Sequence, residues 1–569
     1  MSSSNTYQAD GDEATTNSYE SAFLGWKSSR DHLHQAFQGF IKASQSLNDA
    51  RVERLRYPVN PQVREMISDE IDQEALNLST LRSGVDSAKV ALLYSRNTSM
   101  ALAPINNLPV EVLGFIFSLA QPYCVHDIVV QELPWSSTSQ LVDIVSMVCA
   151  HWRKIALNTR ELWSHIDLVI NRDHALSNTL HYRAKLWLER VRDYPLHLHT
   201  HEFSNTSGDV NIDKLESCLS SCLSHAISVH MWSNSDTPFR EHAFPWKLLG
   251  ARNTDGSGSK IQEISIENHG RYAGSARLPP KYFSWKDCSC ESVSVLHLRG
   301  VAVPWYNPIC HKLTELRLEN LDDVSPSLVE IAAVLIASPG LRSFALCETG
   351  LSEGERFDGD LVPHRISLDD LEVLNLDTLN YDSLDPILRL LAPGSRPLSM
   401  SITLEPGERF SKDVEEFFQR SNVTTLFANY TGYETWCPLP HSLRPTLEVL
   451  AIANCQLFLS EEEPDIISAD TSSLTTHEPN VCPKLRTMHL LASSLDPELL
   501  GRIVATHLIE ELWLSECSIR EDEKGRKSHG HTGPMSIDEV ADLMPENIRI
   551  VWISDEYASD PASRWACAE

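Results

Sequence analysis

Apolar residues recur along the first hundred positions in a helical rhythm. Trp26, Leu33, Ala36, Phe40, Ala43, Leu47 and Ala50 follow steps of three and four, broken once by Ser29. Ile67, Ile71, Leu78, Leu81, Val85, Ala88 and Leu92 do the same, broken by Glu74. Such spacing lays one apolar seam along each of two helices. The intervening Pro58-Val59-Asn60-Pro61 cannot continue a helix. Residues 19–100 are therefore expected to form an antiparallel helical hairpin or short coiled coil, packing on a neighbouring domain or on a partner. Residues 1–18 are polar and acidic with little to bury, and read as a disordered tail.

From His174 the rhythm changes. Residues 174–193 carry a helical stripe through Leu176, Leu180, Trp187 and Val191, stopped by Pro195. Leu196-His197-Leu198-His199 then alternates as a strand does; a helix over 213–225 and a strand through Ile227, Val229 and Met231 repeat the unit. A short signature follows: apolar, two residues, apolar, one residue, apolar. It stands at 261–266, 293–298, 313–318, 341–346, 371–376, 447–452, 485–490, 509–514 and 548–553, with weaker strands at 398–404 and 423–427. At this composition the template arises by chance in ~7% of windows, so context must carry it. Helix-like blocks separate the copies, and three begin with a capping residue before proline: Ser325-Pro326, Asp385-Pro386 and Asp496-Pro497. Stacked strand–turn–helix units of this kind resemble leucine-rich repeats, which implies a parallel sheet with its strands on a concave face. Residues 174–556 are expected to form such a solenoid, and 557–569 a tail. On the concave face, the strand positions between apolar ones, among them Glu315, Arg317, Glu372, Asn375, Glu448 and Trp513, are candidates to contact a substrate.

The densest local pattern lies over 103–167. Pro109 suits the first turn of a helix, after which Leu113, Ile116, Phe117 and Ala120 share a face. In a second stretch Ile144 or Val145, Val148, Trp152, Ile155 and Ala156 do likewise. Helices this short and apolar do not hold a core alone; they need the downstream repeats, a partner, or both. Leu108-Pro109-Val110-Glu111-Val112-Leu113, Ile116-Phe117, Val148-Cys149-Ala150-His151-Trp152-Arg153 and Leu162-Trp163 resemble, in order and spacing, the F-box family, over about a tenth of the chain. An insert, Gln121–Ser139, departs from the brief turn of that family. Together with the N-terminal helices and irregular repeats, it resembles the large fungal class of F-box-like proteins.

The resemblance implies a substrate receptor: the F-box docks on a Skp-type adaptor of a cullin–RING ubiquitin ligase, and the repeats hold an as yet unknown protein substrate. By position Leu108, Pro109, Val112, Ile116, Val148 and Trp152 would meet the adaptor. Leu113, Phe117, Cys149, Leu162 and Trp163 would form the motif's own core. The alternative is a leucine-rich-repeat scaffold whose F-box-like segment is purely structural. The fold class expected is α/β: a helical hairpin, a small all-α F-box and a repeat solenoid.

Charge narrows the partners. Asp and Glu number 78 against 48 Lys and Arg, for a net charge of -30, so nucleic acid and anionic membrane are not expected. Neither a secretory leader nor a spanning segment is apparent, which suits a cytoplasmic or nuclear protein with its 13 cysteines reduced. Phosphate loops, nucleophile elbows and zinc-spaced cysteine pairs are missing from the sequence, so no enzyme, cofactor or metal is expected. Cys288-Ser289-Cys290 lacks a second pair, Gly256–Lys260 reads as a surface loop, and His529 and His531 lie in another. His197, His199 and His201 would share one strand face, read as solvent-facing rather than metal-binding.

Overall fold

The computed structural model describes residues 9–54, 60–98, 104–120, 141–170, 174–202, 222–223, 225–233, 260–269, 292–301, 303, 305–321, 325–352, 365–379, 381–404, 411–435, 443, 445–457, 482–495, 497–507, 509–519, 544 and 548–553. The insert at 121–139, residues 213–221 and 224 of the helix expected over 213–225, Cys288, Cys290, His529, His531 and the tail 557–569 lie outside these. The chain divides into two units, Met1–Asn107 and Leu108–Glu569.

The first unit is helical: α1 spans Ala9–Arg54 and α2 spans Pro61–Thr98. Helix α1 thus begins inside the polar segment read as a tail. Helix α2 starts where its sequence directs: Pro61 opens it, and the Asn60 side chain accepts from the Gln62 N–H at 3.0 Å, satisfying one of the free donors of the first turn. Neither helix buries its seam. Trp26, Leu33, Phe40 and Leu47 on α1, and Ile67, Ile71, Leu78 and Leu81 on α2, are all exposed.

The second unit opens with three short helices, α3 (Val110–Ala120), α4 (Leu141–Val148) and α5 (Ala150–Asn158), then a 3-10 turn at Arg160–Trp163. The stretch expected as one apolar helical face is in fact two helices. Cys149 breaks it in extended conformation, and its sulfur caps α5 by accepting from the Trp152 N–H at 3.4 Å. Arg153 closes the corner by donating Nε to the Ser146 carbonyl at 2.7 Å. Trp163 then pins the group from below. Its indole N–H donates to the Ala156 carbonyl at 2.7 Å, and its ring meets Trp187 edge-on at 5.5 Å. Trp187 belongs to α6 (His174–Val191). The buried core runs from Leu113 without interruption into the sheet.

That sheet is open and parallel. Its strands are β1 (His165–Ile170), β2 (Leu196–Glu202), β3 (Ala226–Ser233), β4 (Glu263–Asn268), β5 (Val295–Arg299), β6 (Glu315–Glu319), β7 (Ser343–Cys347), β9 (Val373–Leu376), β11 (Leu398–Leu404), β12 (Val423–Thr435), β13 (Val449–Leu457), β14 (Thr487–Leu491), β16 (Glu511–Ser515) and β18 (Arg549–Ile553), each beside the one before it in the chain. Short β8 (Ile366–Leu368) pairs with β10 (Leu391–Pro393), and β15 (Ser494–Leu495) with β13 and β17 (Ser518–Ile519). Helices α6, α7 (Leu328–Ala337), α8 (Tyr381–Leu390), α9 (Lys412–Arg420) and α10 (Pro497–His507) supply apolar side chains to one face of it. All three apolar positions of the signature are buried from 261–266 through 509–514. At 548–553 the expected phase is off by one. Ile550 pairs with Leu512, so it takes the core-facing row, and Val551 takes the opposite face beside Trp513.

Two helix starts also differ from expectation. Helix α7 is capped by Ser327 rather than Ser325: the Ser327 side chain accepts from Glu330 N, and Glu330 reaches back to the Ser327 N–H at 2.8 Å. Helix α8 begins at Tyr381 and carries Pro386 inside, as its sixth residue and past the free donors of the first turn. Helix α10 does begin at Pro497.

A further regularity appears at the strand ends. The eighth residue counted from each signature start is left-handed in seven copies: Gly300, Asn320, Glu348, Thr378, Asn454, Ala492 and Glu516. Gly300, Asn320 and Asn454 favour this conformation themselves, but Glu348, Thr378, Ala492 and Glu516 do not, so at these four it is imposed by the surrounding sheet. The ninth residue is buried each time, and where it is polar it joins neighbouring turns. Thr349 Oγ1 donates to the Cys347 carbonyl at 2.8 Å and accepts from Leu321 N at 3.2 Å in the preceding turn. Ser493 does the same between Leu491 O, 2.8 Å, and Cys455 N, 3.2 Å.

Candidate functional site

Helix α3 is apolar except for Glu111 and Ser118, and the fold buries only part of its apolar surface. Leu113, Gly114 and Phe117 face the core, with Gly114 so close to Thr159 that a Cβ there would lie 3.1 Å from its hydroxyl. The remaining apolar side chains face outward: Leu108 and Val112 before and within the helix, with Phe115 64% and Leu119 57% exposed. Ile116, read as sharing the Leu113 face, lies on this outer side at 37% exposure. Pro109 is exposed and its carbonyl accepts the first helical bond, from Leu113 N at 3.0 Å. Helix α4 repeats the division, with Val142 and Val145 buried but Ile144, Met147 and Val148 exposed. Its placement is fixed by an ion pair from Asp143 to Arg183 of α6 at 2.6 Å.

Among the residues assigned to an adaptor, Leu108, Pro109, Val112, Ile116 and Val148 are therefore exposed. Trp152 is half-buried instead, its ring 4.9 Å from that of Phe117, so it acts at least partly within the helical core. Among the residues assigned to that core, Leu113, Phe117, Leu162 and Trp163 are buried. Cys149 is half-buried and serves as the cap described above.

The sheet face opposite the helices carries the intervening strand positions. Glu315, Arg317, Asn375 and Trp513 lie on it. Glu372 and Glu448 immediately precede their strands, in phase with the core-facing rows, and so fall at the sheet's edge. Glu372 is engaged there by Arg342 at 2.5 Å and by Arg396, and these hydrogen bonds hold its carboxyl below the usual range. Glu448 is exposed. Asn375 is buried and turns back to accept from Asp377 N at 3.1 Å. Glu315 receives His297 Nε2 at 2.7 Å, a bond that lowers its pKa. Arg317 and Arg299 both reach Glu319, the latter at 2.8 Å, and Arg299 also reaches Glu348 at 3.0 Å. Trp513 is half-buried, stacked on His489 at 5.3 Å.

The histidines at 197, 199 and 201 share this face as their spacing requires, but of the three His197 alone keeps part of its surface in solvent. His199 and His201 are buried. His165 stacks on His197 at 4.6 Å and His199 on His230 at 5.0 Å, because parallel strands bring side chains in register to within ring-stacking distance. Burial, reinforced by the neighbouring imidazoles, pushes His165 down to about 4. His230 also meets Ser228 Oγ at 2.6 Å and Glu263 at 3.4 Å, and its hydrogen bond holds Glu263 down at about 2. Among the described residues no group of three or more His, Cys, Asp or Glu is arranged to hold a metal ion, and no helix is long and apolar enough to cross a membrane.

The stacked-imidazole run and the ninth-residue bonds escaped the sequence reading. The first was signalled by His at period two in one strand and His230 in the next; the second by Thr349, Ser493 and Cys517 at a constant distance from their signatures. No protein-family model matches the chain, and comparison with curated proteins gives no match.

Proposed function

We propose that this chain is a non-catalytic substrate receptor: helices α3 and α4 dock as an F-box on a Skp-type adaptor of a cullin–RING ubiquitin ligase, and the leucine-rich-repeat-like sheet recruits a protein target. One observation carries the reading. The motif's apolar residues divide into a buried set, Leu113, Phe117, Leu162 and Trp163, and an exposed set, Leu108, Val112, Ile116 and Val148. A segment that served only its own core would bury both, since each exposed large side chain forgoes roughly 1.5–3 kcal/mol of burial. Apolar side chains left outward on short helices suit a protein partner, and contiguous exposed apolar surface marks such interfaces.

The test is co-purification with a fungal Skp-type adaptor, comparing wild type with a Val112→Asp, Ile116→Asp variant. Both positions are exposed, so the fold survives the change, whereas anchors at a protein interface are worth ~2 kcal/mol or more each. Binding by wild type and its loss in the folded variant support the receptor. A wild-type chain that ignores the adaptor sinks it and favours the scaffold reading.

A further inference from the structure

Helix α1 carries a second alternation within its seam. Large side chains stand at Trp26, Leu33, Phe40 and Leu47, and small ones at Ala22, Ser29, Ala36 and Ala43. The large residues occupy one heptad position and the small residues the other, over four consecutive heptads. In a parallel, in-register pair like positions meet, so bulky layers would alternate with empty ones along two rods of fixed spacing. In an antiparallel pair each position meets its opposite. With Leu33 set against Ala36 of a second copy, Ser29 falls against Phe40, Trp26 against Ala43 and Ala22 against Leu47, and the two-fold axis repeats all four layers. Every layer then holds one large and one small side chain.

We infer that α1 pairs antiparallel with α1 of a second copy of this chain. The helix is self-complementary, as a two-fold interface demands. Its charges allow it as well: over the stretch 20–49, Lys27, Arg30 and Lys42 balance Glu20, Asp31 and Asp49, although the chain as a whole is strongly acidic. Phe23 and Phe37 flank the seam, both about half exposed. With them the large side chains of two copies offer about 1,000 Å² to cover, the scale at which specific interfaces begin. Helix α2 does not share the pattern, since Ile67, Ile71, Leu78 and Leu81 put large residues at both positions. This pairing does not depend on the adaptor reading.

Light scattering on the full-length chain at low micromolar concentration tests it, with the expected mass twice that of one chain. Trp26→Glu, Leu33→Glu, Phe40→Glu together are expected to give a monomer with the sheet's circular dichroism intact. Orientation is read from a spin label placed at Gln45 through an unnatural amino acid, the 13 native cysteines precluding thiol chemistry. Antiparallel pairing puts the two labels about 30 Å apart along the axis, from 21 residues' offset at 1.5 Å each; a parallel pair brings them within about 15 Å. A monomeric wild type, a dimer that survives the triple substitution, or a short label distance each overturns the inference. Closure of α1 onto α2 of its own chain would appear as the first of these.

Discussion

Thr349 offers a direct measure of how the turns of the sheet are tied together. It is buried, at 2% exposure, one residue past the left-handed Glu348, and its hydroxyl both donates to Cys347 O and accepts from Leu321 N. Thr349→Val keeps shape and volume while removing that hydroxyl. The Cys347 carbonyl retains a bond from Asn320 N at 3.2 Å, so the group left without a partner is the buried Leu321 N–H. An unsatisfied buried amide costs about 1–3 kcal/mol, whereas a neutral hydrogen bond contributes only about 1 kcal/mol net. The expected loss is therefore about 2 kcal/mol, and it is local. Because a sheet whose strands pair only with near neighbours can open locally, amide exchange is the better assay. Exchange over peptides covering 313–322 is expected to speed by roughly tenfold to a hundredfold, with little change over 485–495. Thr349→Ser, which keeps the hydroxyl, is expected to stay near wild type. If the valine variant exchanges like wild type, or the serine variant is as fast as valine, the hydroxyl does not tie the turns.

Other expectations follow from the same structure. Ala492 holds φ 44, so Ala492→Gly is expected to raise the unfolding midpoint by up to about 1 kcal/mol equivalent, and Ala492→Val to lower it, in denaturant titration. Leu113→Ala, in the core, is expected to cost 2–5 kcal/mol, roughly, and Val112→Ala, on the outer side, less than about 0.5, by thermal unfolding. Burial holds His489 down at about 4 against an unfolded value near 6.5. The unfolded chain takes up that proton first, so this stability is complete above about pH 6.5 and lost as the pH falls toward 4. His489→Gln is expected to flatten melting temperature against pH over that window, and an unchanged slope would assign the pH dependence elsewhere.

How far sequence anticipates this molecule depends on whether a residue's environment is set locally. The signature at 313–318 is legible because alternation within one strand decides which side chains face the core, and Leu316 and Leu318 could go nowhere else. At 548–553 alternation leaves two phases open, since Ile548, Ile550, Val551, Trp552 and Ile553 are all apolar; only pairing with β16 selects between them. Cys149 looked like part of one helix because its role as a cap is a backbone event that apolar spacing does not register. For the candidate site, spacing of three and four grouped Ile116 with Leu113, yet on a helix as apolar as α3 the buried arc is chosen by what packs against it. The burial of His199 and Asn375 is set by neighbours in other strands, and no reading of one strand contains it.

The fourteen described strands on the main path of the sheet follow one another across it in chain order, and the short β15 and β17 reach only to strands two places away. A chain leaving the ribosome meets each pairing partner already in place. No strand waits for the C-terminus, and a truncated product retains a finished edge rather than a gap. A segment inserted between two strands leaves the pairing of all the others intact, so such a sheet can lengthen its connections, or gain a unit, without a new topology.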